Sequence, residues 1–157
     1  MQAPSRLSEQ HRLEDFSSGE VVLDTWLKTR ALPNQAAGVS RTYVAVEGGQ
    51  VAGYYCLSSA AISLKEAPRA LRHGMPDPLP MILMGRLAVD QRYKGQGLGT
   101  ALLKDSVLRA QSALEIIGVR GLLVHALHDQ AKGFYLHHGF RETPGNPLTL
   151  VLPFKFT

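Results

Sequence analysis

A chain of 157 residues, 45% hydrophobic and 19% charged, has enough apolar material to bury one sizeable core. Its 15 Gly and 9 Pro are too few for a collagen-like or low-complexity chain, and a single Cys56 excludes an internal disulfide and a cysteine zinc site. The net charge of +4 arises within residues 60–110, where eight Lys/Arg face four acids, while the remainder balances nine against nine.

A local basic excess suits an anionic ligand such as a nucleotide phosphate or an RNA backbone, or an ordinary solvated basic face. Met1–Gln10 has no apolar signal core, and runs such as Met81–Met84 are too short to span a bilayer. A cytoplasmic chain without membrane attachment is the expectation. With no internal repeat and no linker, one domain over residues 1–157 is expected.

Ser17 with Glu20 reads as a capping box, opening a helix that places Leu23, Trp26 and Leu27 on one face. Pro33 predicts its end near Leu32. Thr42–Glu47 and Val51–Leu57 read as strands of a hairpin turned by Gly48-Gly49. Lys65–Pro80, rich in Pro and Gly, reads as a loop with one helical turn near Arg69–Arg72. Met81–Val89 follows as a buried strand. A glycine turn then leads into a long helix from Leu98 to Ile117, whose stripe Leu103, Val107, Ala110, Leu114, Ile117 faces the core and which Gly118 ends. Val119–Leu127 is a second buried strand, Asp129–His138 a short helix stopped at Gly139, and Leu148–Phe156 a last strand with Pro153 at an edge or bulge. The order predicts an α/β chain with a mixed sheet and helices on its faces, not a doubly wound parallel sheet.

Two segments carry chemistry. In Arg92-Tyr93-Lys94-Gly95-Gln96-Gly97-Leu98-Gly99-Thr100, between strand and helix, the glycines let backbone N–H groups approach a ligand, and the helix start adds unpaired donors and a positive dipole end. Such a turn suits a pyrophosphate. It is neither a P-loop nor the dinucleotide fingerprint, whose third glycine is replaced by Thr100. The second segment is Asp129–Phe140, a short helix carrying Phe134-Tyr135 and closing at Gly139. The adjacent His137 and His138 point about 100° apart on a helix and do not converge on one ion, so no metal site is expected. His125, in a buried strand, reads as a satisfied structural histidine.

Together these segments resemble those of the GNAT N-acetyltransferases. The family's Gln/Arg-x-x-Gly-x-Gly/Ala loop maps onto Lys94-Gly95-Gln96-Gly97-Leu98-Gly99, with Lys94 departing from the pattern. Its Ala-x-x-Phe-Tyr-x-x-x-Gly-Phe maps onto Ala131, Phe134, Tyr135, Gly139 and Phe140, with His128 where Asn is common. Further segments resemble the TacT-like toxins of toxin–antitoxin modules: Phe16–Glu20, Leu23-Asp24 with Trp26-Leu27-Lys28, Asn34-Gln35-Ala36, Met75–Pro78, Arg86–Asp90 and Val124–Leu127.

The resemblance implies a GNAT fold, with a central mixed, mainly antiparallel sheet flanked by helices. It implies acetyl-CoA as co-substrate, held by Leu87, Ala88, Val89, Lys94, Gly95, Gln96, Gly97, Leu98, Gly99 and Thr100. The Val89 N–H becomes the oxyanion donor and Tyr135 the general acid. A phenol near 10 matches a departing thiol near 8.5. The strand Met81–Val89 has no carboxylate to act as base, which fits an α-amino acceptor, partly neutral at pH 7, better than a lysine.

The implied activity is acetylation of aminoacyl-tRNA, blocking translation. Lys28, Arg41, Arg69, Arg72 and Arg86 are candidates for a tRNA-facing patch, with plain surface charge the alternative for each. The implied partners are aminoacyl-tRNA, a ribbon-helix-helix antitoxin, operator DNA reached through that antitoxin, and a second copy in a homodimer. Two other functions compete: acetylation of a small amine, peptide N-terminus or protein lysine, and a catalytically silent CoA fold that binds a partner or represses DNA.

Overall fold

The computed structural model describes residues 1–155, and in chain order its elements are β1 (Ser5–Arg6), α1 (Val21–Thr29), α2 (Ala31–Ala36), β2 (Arg41–Glu47), β3 (Gln50–Ile62), β4 (Leu79–Val89), α3 (Leu98–Ser112), β5 (Gly121–His125), α4 (Asp129–His137), β6 (Arg141–Thr143) and β7 (Asn146–Pro153). The strands form one seven-stranded sheet in the order β1-β2-β3-β4-β5-β7-β6. It is mixed and mostly antiparallel, with β4 and β5 parallel from Ile82↔Leu122 to Met84↔Val124. The fold is therefore of the expected mixed α/β class. The chain divides into two compact units, Met1–Ser58 with Gly85–Val107, and Ser59–Met84 with the residues from Leu108 on.

In the first unit, Gly48 and Gly49 turn the β2–β3 hairpin at φ 57° and 82°, between the paired Glu47 and Gln50. A two-residue turn with both φ positive suits the twist of the strands and strongly favours glycine. Around the hairpin, Leu7, Phe16, Leu27, Ala31, Val44, Val51, Tyr54 and Ala88 form a buried cluster. Trp26 stacks on Tyr54 at 6.0 Å, and the Tyr54 hydroxyl donates to the Leu23 carbonyl at 2.7 Å. The ring is thus buried with its polar end satisfied.

Two local expectations change. The cap of α1 is not made by Ser17. Its N-cap is Glu20, and Ser18 braces the bend by donating N–H and Oγ to Asp24 in the first turn. Nor does Pro33 end a helix: the chain breaks at Arg30, and Pro33 lies in the first turn of α2. There its missing N–H has no intrahelical acceptor to lose.

In the second unit, Ile62, Ala67, Leu71, Leu79, Met81, Leu123 and Val151 form the core cluster. β4 starts two residues earlier than expected, because Leu79 is fully buried and the Pro80 carbonyl accepts the Arg120 N–H at 2.8 Å. The helical turn in the preceding loop is a 3-10 turn at Arg69–Leu71. β7 pairs with both β5 and β6, but the β6 pairing reaches only Val151, so Pro153 ends the strand with Gly121 of β5 as its one paired residue, a local edge that proline tolerates. The expected end of that strand at Phe156 lies outside the described residues.

The long helix is shorter than its stripe implied. α3 stops at Ser112, and a 3-10 turn follows over Ala113–Glu115. Tightening to about three residues per turn rotates later side chains off the helical stripe. Leu103 and Ala110 are buried as expected, but Ile117 is 54% exposed, and Gly118 caps nothing.

Candidate functional site

In the first unit, β4 carries Leu87, Ala88 and Val89 to the start of the glycine loop, and Asp90 fastens that junction. The Asp90 N–H donates to the Ala52 carbonyl at 2.8 Å. Its carboxylate, 1% exposed as a residue, accepts from the Ser17 N–H at 3.0 Å, from the Arg92 N–H and Nε at 2.9 Å each, and from Arg92 Nη2 at 3.1 Å. Burial alone would raise its pKa. The hydrogen bonds from Arg92 and Ser17, with the Arg92 charge, outweigh it and hold the carboxyl below the usual range.

Gly95 and Gly97 then take φ of 77° and 82°, with nothing within 4 Å of where a Cβ would stand. The loop backbone is therefore turned by glycine and open on that side. The Gly97 carbonyl accepts the Ala101 N–H at 3.0 Å, so α3 begins here with Leu98, Gly99 and Thr100 in its first turn. First-turn N–H groups have no acceptor four residues back and lie at the positive end of the helix dipole. An anion is the natural occupant.

That helix start is held close to the sheet. A Cβ on Gly53 of β3 would stand 2.8 Å from Leu102 Cδ1, 3.2 Å from the Ala88 carbonyl and 3.3 Å from Leu98 Cδ2. Two of the loop's exposed side chains bond back onto the chain's own carbonyls. Lys94 Nζ donates to the Ser18 carbonyl at 2.5 Å, and Gln96 Nε2 donates to the Arg92 carbonyl at 3.4 Å.

In the second unit, α4 carries Tyr135. His128 is its N-cap, and His128 Nδ1 accepts the Ala131 N–H at 3.1 Å. A histidine thus performs the capping that a short polar side chain does elsewhere. Gly139 closes the helix at φ 92°. Tyr135 is 7% exposed, its ring 5.3 Å from those of both Phe134 and Phe140. His125 corrects an expectation: as the last residue of β5 it is exposed, although its Nδ1 lies 3.0 Å from Thr149 Oγ1. His137 and His138 stack edge to face at 5.2 Å. Among the described residues no group of three or more His, Cys, Asp or Glu is placed to hold a metal ion.

The five basic candidates differ in availability. Arg41 Nη1 donates to the Gln35 and Ser40 carbonyls at 3.2 Å each. Arg72 donates to the Ala67 and Lys65 carbonyls at 2.9 and 3.2 Å. Arg86 lies over the Trp26 ring at 4.5 Å and beside Cys56, whose thiol burial pushes up and Arg86 pulls back down. Lys28 and Arg69 are exposed. The Ser18–Asp24 brace and the clamp on Asp90 went unrecognised in the sequence. Their signals were present: an acid in the first turn of α1, and Arg92 two residues after Asp90.

A model of the GNAT acetyltransferase domain matches residues 38–142. A tRNA-acetylating toxin of Mycobacterium tuberculosis is 46% identical over 98% of this chain and 92% of its own. The structure of AtaT complexed with acetyl-methionyl-tRNAfMet is similar at a TM-score of 0.89 and 28% identity, covering 96% of this chain and 94% of that one. A Tyr-to-Phe variant of AtaT, bound to the C-terminus of the antitoxin AtaR and to acetyl-CoA, is similar at 0.82 and 28%, covering 96% and 92%. No helix among the described residues is long and apolar enough to cross a membrane.

Proposed function

This chain belongs to the GNAT acetyltransferase family, and from that membership we infer that it moves the acetyl group of acetyl-CoA onto the α-amino group of aminoacyl-tRNA and so blocks translation. The observation that carries the choice of acceptor is the likeness, over nearly the whole chain, to a toxin named for acetylating tRNA. The site chemistry agrees with it. Asp90, the carboxylate next to the end of β4, is committed to Arg92 and the Ser17 N–H, so it has no basicity to spare for an ammonium. An α-amino group near 7.7 to 8.0 needs less help than a lysine near 10.4.

In this reaction the turn Gly95–Thr100 receives the pyrophosphate on backbone N–H groups, and Leu87, Ala88 and Val89 run beside the pantetheine. The Val89 N–H takes the charge that develops on the acetyl oxygen. The amine attacks the carbonyl carbon, the C–N bond forms, the C–S bond breaks, and the amine releases a proton to solvent. Tyr135 gives its own proton to the departing thiolate. Lys28 and Arg69, both exposed, are available to meet an RNA backbone, and Arg86 directly precedes Leu87–Val89 in β4. The protein works in the cytoplasm as a homodimer, restrained by a ribbon-helix-helix antitoxin through which it reaches operator DNA.

The test is incubation with labelled acetyl-CoA and total aminoacylated tRNA. Label released as N-acetylated amino acid after mild base is the expected result. Label found only on protein or on free amines would overturn the assignment of the acceptor.

A further inference from the structure

Lys94 stands where GNAT loops commonly place Gln or Arg, and its ammonium is bonded to the Ser18 carbonyl. Nζ lies 2.5 Å from the Ser18 carbonyl and 3.7 Å from where a Gly19 Cβ would stand. Two more bonds join the same segments: Ser17 N–H to Asp90 Oδ2 at 3.0 Å, and Gln91 N–H to the Ser17 carbonyl at 2.8 Å. Gly19, at φ 93°, is pressed so close that a Cβ there would meet Gln91 Nε2 at 2.7 Å. The bend over residues 17–19 is therefore fastened along the start of the glycine loop.

The bend in turn holds α1. Ser18, 2% exposed, donates its N–H to both Asp24 oxygens at 3.0 and 3.1 Å and its Oγ to Oδ1 at 2.6 Å. Two residues further on, Trp26 carries the Arg86 guanidinium on its face at 4.5 Å. Arg86 directly precedes Leu87–Val89. Hydrogen bonds thus run from Lys94 through Ser18 to Asp24, the α1 backbone joins Asp24 to Trp26, and the Trp26 ring meets Arg86. Every one of these residues lies in the first unit.

We propose that Lys94 is a positioning residue for the acceptor and not a ligand of the cofactor phosphates: it clamps the Ser18–Asp24 bend, and through α1 it sets the Arg86 guanidinium where the aminoacyl end of tRNA arrives. The inference rests on reading the glycine loop as the acetyl-CoA site and β4 as the acetyl site. Its physical basis is that an ammonium–carbonyl bond this short is charge-assisted and directional, and that contiguous contacts of this kind transmit roughly 0.5–2 kcal/mol, equivalent to about 2- to 30-fold in affinity or rate.

The experiment compares acetyl-CoA with acetyl-pantetheine, which lacks the pyrophosphate and nucleotide, in wild type, Lys94→Met, Lys94→Arg and Asp24→Asn. Lys94→Met should leave acetyl-CoA affinity within about threefold and raise the KM for aminoacyl-tRNA about 2- to 30-fold, by the same factor with either acetyl donor. Asp24→Asn should reproduce that change, the double variant should be no worse than the worse single one, and Lys94→Arg should restore most of the loss. Melting temperatures accompany each variant. A KM change that scales with lost stability and is not rescued by arginine would reduce Lys94 to a structural role and overturn the proposal. A drop of tenfold or more in acetyl-CoA affinity, with acetyl-pantetheine turnover unchanged, would make Lys94 a phosphate ligand instead. Wild-type protein that does not bind acetyl-CoA would remove the cofactor reading itself, and this proposal with it.

Discussion

Tyr135 is packed as a core residue, 7% exposed between Phe134 and Phe140, and it is also the general acid of the proposed reaction. Tyr135→Phe removes one oxygen and keeps the ring, so the two roles separate. Loss of a hydrogen bond costs about 1 kcal/mol, or roughly 2–4 °C in Tm for a chain of this size. Loss of a positioned acid costs on the order of 10²- to 10⁴-fold in turnover. We expect the second with no more than the first, acetyl-CoA affinity being retained. Melting temperature and acetylation rate measured on one preparation decide it, and a folded variant with the wild-type rate would leave water as the proton source. Residue type was legible in the sequence at this position and at the glycines. What became of the arginines was not, because a guanidinium that ends on carbonyls of its own loop, as Arg72 does, has the same letter as one that faces solvent.

At the scale of elements, the start of α3 is where local sequence and chemistry agree most closely. Gly97 combines a left-handed φ of 82° with open space beyond Cα. Gly97→Glu should therefore fold with a modest conformational penalty of about 1–2 kcal/mol. Its carboxylate would stand in the path of the pyrophosphate, and like charges in contact cost several kcal/mol, so acetyl-CoA affinity should fall by at least about 100-fold. Calorimetry on folded protein checks this, and undiminished affinity would remove the loop from the cofactor site. The β2–β3 hairpin, β4, β5 and α4 were legible because turn glycines and apolar runs are local signals. β1, with two residues, and β6, with three, were missed. Strands that short are defined by the partner that pairs them, Val44 and Tyr43 for β1, and not by their own pattern. The end of α3 was misplaced for a related reason: Ile116 and Ile117 continue an apolar period, but the Ala113 carbonyl takes both of their N–H groups and tightens the turn.

Across the whole molecule, the charge count needs the same correction. The basic excess of residues 60–110 is divided between the two units, and Arg72, Arg92 and Lys94 are each bound to a partner inside the protein. Arg92 and Lys94 are exposed all the same, and a net positive chain favours an acidic partner segment. The AtaT variant was solved with the C-terminus of its antitoxin. We expect this chain to co-elute with the product of an adjacent small antitoxin gene when the two are co-expressed and run on size-exclusion chromatography. Separate elution at micromolar concentration would count against that partnership.

The sequence by itself determined the fold class, the glycine loop ahead of α3 and the helix bearing Tyr135. Each depends on residues within one turn or one strand of each other, where steric rules and periodicity act directly. Only the tertiary structure decided that Asp90 is a clamped carboxylate, that Ser18 and not Ser17 braces α1, and that Lys94 ends on the Ser18 carbonyl. Two of these join residues more than 70 positions apart. A hydrogen bond is selected by distance and angle in space, and sequence spacing constrains neither once the chain has turned back on itself.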